Sequence, residues 1–295
     1  MNKPVPRSIQ EYLDQLREQL AGADPALIQD ALYDAEEYLR GELHQHPDKT
    51  EEQILAAIAT TYGAPDEVAE AYRTTEVKVQ AALRTPRPQK RPSLLGKFFG
   101  VLADPRAYTS LFYMLLALFT GTFYFIWVVT GTALSFGLLP LIIGIPFFLL
   151  FLSSVRLLSL VEGRIVETFL GVRMPRRPPY PGGSVPLFTH IKELLSDGRT
   201  WSTLFYMLLQ LPLGILYFTL VISWLAVSLV LILSPLSHIW GDFIYINGPV
   251  VVSWLFTPVL IITGILLLIG LMHFARAIAS LHGQMAKALL VRLAD

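Results

Sequence analysis

An all-α fold is predicted for this chain: a small cytosolic helical bundle followed by a four-helix transmembrane domain made of two parallel-repeated hairpins with interfacial amphipathic helices. Three observations carry that prediction. No Asp, Glu, Lys or Arg occurs between Ala107 and Val155, and Asp242 is the one charged residue from Thr200 to Ala275. A membrane span needs about 20 apolar residues, so each stretch has room for two spans and a turn. The second observation is an internal repeat, which constrains architecture strongly. Residues 94–125 and 187–218 share 14 of 32 positions at a shift of 93, including all of LFYMLL. The third is helical periodicity throughout residues 1–75, with 15 acidic and 6 basic side chains and a net charge of −9.

The acidic module reads as four helices. Ile9, Tyr12, Leu13, Leu16 and Leu20 recur at helical spacing after Ser8, a candidate N-cap. Asp24-Pro25 opens a second helix with Pro at its first position, lined by Ile28, Leu32, Ala35 and Leu39. Thr50 and Gln53 form a capping-box pattern ahead of Ile54, Leu55, Ile58 and Tyr62, and Gly63 stops that helix. Ala64-Pro65-Asp66 starts a fourth, with Val68, Ala71 and Tyr72 facing inward. Apolar faces this narrow require a bundle. Direct nucleic-acid binding is excluded by charge, since phosphate recognition needs a basic face. The second to fourth helices are instead acidic, with Asp30, Asp34, Glu36, Glu37, Glu42, Glu51, Glu52, Glu67 and Glu70 among their side chains.

Residues 76–106 reverse the charge balance and form a Pro-containing basic linker suited to anionic headgroups, and the acidic bundle has either this segment or the basic central loop to dock onto. The first transmembrane hairpin and its amphipathic tail occupy 107–178, the second 179–295, with spans near 110–132, 138–155, 203–229 and 250–272. Basic residues flank the spans on one side and are missing from the hairpin tips, which places both termini and the central loop in the cytosol. The polar first 90 residues contain no secretory signal. The tails correspond at a shift of 120, Arg156 on Arg276 and Gly163 on Gly283, so an external insert of about 27 residues lies in the second hairpin near 223–254. Both units start on the same side, which makes them parallel repeats rather than the inverted kind found in many transporters.

Candidate functional residues follow from chemistry. Gly121 and Gly214 suit close helix packing. Tyr124 and Tyr217 lie deep in their spans and must turn their hydroxyls into the bundle, for an interhelical bond or for contact with an apolar signal. Asp104 and Asp197 read as helix N-caps, with Arg106, Tyr108, Arg199 and Trp201 as interfacial anchors. The insert reads either as an aromatic loop lying in the outer interface or as a sensing loop, in which His238 and Asp242 are the polar groups to meet an external signal. His273 and His282 are expected to face headgroups. No nucleotide-binding, metalloprotease, serine-hydrolase or kinase motif is present, and no cofactor or metal is expected.

The runs YLDQLREQLAG, ALYDAEEYLRGEL and TEEQILAAIATTYGAPDEVAEAYR resemble the HAAS-type helical module over residues 8–75. That resemblance implies a role in signalling, with a cytosolic transcription regulator or kinase as protein partner. The run Asp197-Gly-Arg-Thr-Trp201, the following LFYMLLQLPLGILYFTLVIS and the closing LMHFARAIASLHGQMAKALL resemble the bacterial "putative sensor" membrane domain over residues 95–293. Together they imply a non-catalytic multi-pass protein of the bacterial inner membrane that relays a membrane or external cue to the bundle's partner. Self-association is left open. The alternative is an accessory subunit or small permease-like component of a transport complex.

Overall fold

The computed structural model describes residues 6–58, 61–83, 93–141, 143–177, 195–240 and 254–291. Among these, 86% of residues are helical and none form a strand. The helices are α1 (Ile9–Gln19), α2 (Pro25–Gln45), α3 (Glu51–Ile58), α4 (Pro65–Leu83), α5 (Leu94–Phe99), α6 (Pro105–Leu138), α7 (Gly144–Leu170), α8 (Gly198–Ile232), α9 (Ser237–Trp240) and α10 (Thr257–Leu290). The chain falls into two compact units. One comprises Met1–Arg84, Thr132–Leu204 and Met285–Asp295, the other Thr85–Gly131 and Phe205–Gln284.

The first unit contains the acidic bundle. Its caps follow the sequence: Ser8 accepts from the Glu11 amide at 3.2 Å, and Asp24 from the Ala26 amide at 2.9 Å. The capping box closes reciprocally, Thr50 N–H to Gln53 Oε1 at 3.1 Å and Gln53 N–H to Thr50 Oγ1 at 3.4 Å. Leu16, Leu20 and Leu39 are fully buried in a core that α3 completes with Ile54, Leu55 and Ile58. On α4, Val68 and Ala69 are buried, whereas Ala71, expected inside, is exposed. The interior face of that helix is therefore rotated toward residues 68, 69, 72 and 76. Tyr72 donates to Asp34 at 2.8 Å, which ties α4 to α2. Burial pushes Tyr62 up to about 12 and raises Tyr72 too, so both phenols stay neutral. Helix α4 continues to Leu83, so the first residues of the expected linker are helical; its 84–92 part lies outside the described residues.

Helix α7 also belongs to this unit. It runs unbroken from Gly144 to Leu170, so the amphipathic tail continues the span as one helix. Gly171 ends it in the left-handed conformation, φ 69°, which costs a residue without Cβ the least. The chain then turns back and brings Met174 over Gly163, where an added Cβ would lie 3.4 Å from the Met174 Cβ.

In the second unit, α6 and α8 approach through their glycines. A Cβ added to Gly121 would lie 2.5 Å from the Gln210 carbonyl oxygen, and one added to Gly214 would collide with the carbonyl of Ala117. At the repeat shift of 93, Gly121 corresponds to Gly214 and Ala117 to Gln210, so the two contacts are the same contact made reciprocally. Helix α8 passes through Pro212 within this crossing. Helices α8 and α10 run antiparallel: Trp224 donates to the Leu267 carbonyl at 2.9 Å, and Gly264 sits against Ser228 and Ile232. Gly121→Val and Gly214→Val are therefore expected to destabilise the crossing alike, while Gly137→Ala, which meets open space, leaves it intact. Melting temperatures of the purified variants in detergent check this.

Candidate functional site

Two polar constellations stand out, one in each unit. The first clasps the acidic bundle to the segment that follows α7. Arg173 is buried and its guanidinium meets three carboxylates: Asp30 at 3.0 Å, Glu76 at 3.2 Å and Glu167 at 3.4 Å. Its Nη1 also donates to the Met174 carbonyl at 2.6 Å. Asp30 uses its other oxygen to accept from the backbone amides of Arg176 and Arg177, at 2.6 and 2.9 Å. Gln29 donates to the Arg177 carbonyl at 2.6 Å and accepts from Arg199 at 3.0 Å. Arg177 pairs with Asp34 at 3.0 Å and lies 5.4 Å from the Tyr33 ring centroid. A further contact joins Lys287 of α10 to Asp24 at 2.5 Å.

Electrostatics makes this cluster all-or-none. Burial lowers the affinity of Arg173 for its proton, but Asp30, Glu76 and Glu167 more than compensate and the net direction is upward. Burial pushes the Asp30 carboxyl above the usual carboxylate range; the amide donors of Arg176 and the charge of Arg173 offset this only in part. Asp30 is thus the costly member of the set, tolerated because both of its oxygens are matched.

The second constellation is built on His282, which is buried and does not face headgroups as its place in an amphipathic tail suggests. Tyr113 and Tyr206 meet its Nε2 at 2.6 and 3.1 Å, and Tyr217 meets its Nδ1 at 3.2 Å. Gln210 donates to the Tyr113 hydroxyl at 3.1 Å. Tyr113 and Tyr206 are repeat-equivalent, so both units of the repeat feed one imidazole. In an apolar bundle polar groups must find each other, and here they have done so.

The residues singled out from sequence distribute as follows. Tyr217 is a member of the His282 cluster, and Tyr124 is buried in the same unit. Asp104 accepts from the Arg106 amide at 3.0 Å, and Asp197 from the Arg199 amide at 3.1 Å. Tyr108 donates to the Leu102 carbonyl at 2.8 Å, and Trp201 to the Leu195 carbonyl at 2.9 Å, again one contact made twice at a shift of 93. Both rings are exposed. Arg276 pairs with Asp104 at 2.9 Å and Arg156 with Asp197 at 3.1 Å, so each tail reaches the cap of the other hairpin's first helix. His238 lies on α9, and Asp242 is outside the described residues. His273 donates to the Phe98 carbonyl at 3.0 Å. Among the described residues, no group of three or more His, Cys, Asp or Glu side chains is arranged to hold a metal ion.

Sequence reasoning gave Asp30, Glu76, Glu167 and Arg173 no place in a common site, and it assigned His282 to headgroups. One signal was available. At the tail shift of 120, Glu162 corresponds to His282 and Glu167 to Lys287, so the repeat changes charge at two positions that the structure buries or pairs.

Four helices, at Pro105–Leu141, Gly144–Leu170, Gly198–Ile232 and Thr257–Leu290, are long and apolar enough to cross a bilayer. With a polar helical module ahead of them, they define a multi-pass membrane protein of sensor type. The family described as "Putative sensor" matches residues 113–290, and the chain belongs to that family. The HAAS family matches residues 11–71. Neither family is an enzyme family. No curated protein and no solved structure matches the chain.

Two outcomes are expected. Replacing Arg173 with Ala strands buried carboxylates at a cost of about 3–5 kcal/mol, so hydrogen exchange at the Arg176 and Arg177 amides accelerates, with Arg173→Lys intermediate. In the second unit, His282→Ala is expected to lower the melting temperature more than Tyr217→Phe, because it takes a shared partner from three hydroxyls rather than removing one hydroxyl.

Proposed function

We propose that this protein is a non-enzymatic relay in the bacterial inner membrane, with both termini in the cytosol. A cue in the bilayer or outside it changes the packing of the membrane helices, and that change sets whether the HAAS bundle is clasped or released to a cytosolic protein, a transcription regulator or kinase. The observation that carries this reading is the sharing of α10. His282, the centre of the polar cluster, and Lys287, which holds Asp24 of the bundle at 2.5 Å, are five residues apart on one continuous helix. A helix is stiff over that length, so displacement at His282 displaces Lys287. The clasp itself is a two-state element, since a buried ionic cluster is either matched or broken. The net charge of −9 on residues 1–75 supports a protein partner rather than nucleic acid.

The test uses the full chain in lipid vesicles. The sequence has no Cys, so cysteines introduced at Gln29 and Arg177 report the clasp by cross-linking. His282→Ala or the Tyr113→Phe/Tyr206→Phe pair is expected to reduce cross-linking at least about threefold, with the bundle itself still folded. Unchanged cross-linking in both would remove the coupling and with it the relay.

A further inference from the structure

The segment after α7 is held as a peptide ligand is held. Two of its backbone N–H groups converge on Asp30 Oδ1, from Arg176 at 2.6 Å and Arg177 at 2.9 Å. Its Arg177 carbonyl accepts from Gln29 at 2.6 Å. Main-chain bonds of this type hold a chain in place, while side-chain pockets supply specificity. Two side chains are read here, four residues apart. Arg173 goes into the buried carboxylate set of Asp30 and Glu76, with Met174 and Pro175 buried behind it. Arg177 goes to Asp34 and the face of Tyr33. Asp34 is itself oriented by the Tyr72 hydroxyl.

We propose that the α2–α4 face built on Asp30, Asp34 and Glu76 is a recognition site for a basic chain segment with arginines at positions i and i+4. Residues 173–177 occupy that site in cis, and the cytosolic partner, whose existence rests on the relay proposed above, enters it with a segment of the same chemistry. The site's own chemistry selects this occupant. Three carboxylates, two of them buried, repel an acidic or phosphorylated segment and leave an uncharged one unable to match them. A planar guanidinium spans Asp30 and Glu76 at once, which a lysine ammonium cannot do with the same geometry. Tethering gives the cis segment an effective concentration in the millimolar range. The partner therefore gains access only when the clasp opens, and the bundle needs no conformational change of its own.

The decisive experiment uses the full chain in phosphatidylcholine nanodiscs and a fluorescent peptide, LGVRMPRRPP, copying residues 170–179. A chain carrying Arg173→Ala and Arg177→Ala is expected to bind the peptide at least about tenfold tighter than the unsubstituted chain, because the cis competitor is gone. Adding Asp30→Asn, or replacing both reading arginines of the peptide by Ala, is expected to abolish that gain, and a peptide with Lys at those positions binds at least about threefold more weakly. Equal peptide affinity in the two chains, or binding indifferent to Asp30 and to the peptide's arginines, overturns the proposal. Hydrogen-exchange protection at Leu16 and Leu20 reports whether the bundle remains folded. If the double variant loses it, Arg173→Lys replaces it with an expected gain of about threefold, and no gain there overturns the proposal equally. Peptide binding and the Gln29–Arg177 cross-link fail separately: a silent peptide with a responsive cross-link refutes this site alone, and a bound peptide with an unresponsive cross-link refutes the relay alone.

Discussion

A guanidinium withdrawn from water has to be met by carboxylates, and the unit that holds the acidic bundle is organised around that requirement at Arg173. Three acidic side chains converge on it from three helices: Asp30 of α2, Glu76 of α4 and Glu167 of α7. Removing one member leaves the others charged and dry, so the arrangement persists whole or is lost whole. Everything near it follows from keeping it whole. Gly171 turns the chain so that Arg173 can return toward α7, Met174 closes over Gly163, and the second oxygen of Asp30 is matched by backbone amides. Stability is a weak reason to keep such a cluster, since apolar packing would serve as well. A contact that must be fully made or fully broken is better suited to switching.

The membrane helices use the repeat in a different way. Where the two units keep the same residues, the structure makes the same contact twice: the aspartate caps, the aromatic donors to Leu102 and Leu195, and the glycines at the α6–α8 crossing. Where the units differ in charge, the contacts are single. Glu162 has His282 as its counterpart, and Glu167 has Lys287. Glu167 joins the Arg173 cluster, whereas Lys287 holds Asp24. Symmetric positions thus supply scaffold. The charge-changed positions of the tails carry the connections that belong to this chain, which shifts attention from the insert near 223–254 toward the C-terminal ends of α7 and α10.

Much of this architecture is present in the linear sequence because it depends on local rules. Helix periodicity, caps at Ser8, Asp24 and Thr50, and the length of the charge-free stretches are properties of neighbouring residues. The repeat extended those rules by letting one hairpin predict the other. Local rules misplaced Ala71, because the apolar stripe of α4 is compatible with more than one rotation and Glu76 and Tyr72 decide between them. They also misread His282. Histidine in an amphipathic tail suits a headgroup by composition, and burial became tolerable only because Tyr113, Tyr206 and Tyr217 converge on it from elsewhere in the chain.

By itself, the sequence determined the class of the molecule: an acidic helical module, four apolar helices, and a repeat whose equivalent glycines suit close helix packing. Spacing and hydropathy suffice for that, since each is satisfied within one element or between repeat-equivalent ones. The tertiary structure decided which charges meet. Asp30 and Arg173 are separated in the chain by the whole of α6 and α7, and no periodicity links them. Long-range ion pairing depends on where three helices and one turn bring their side chains in space, and on the exclusion of water once they arrive.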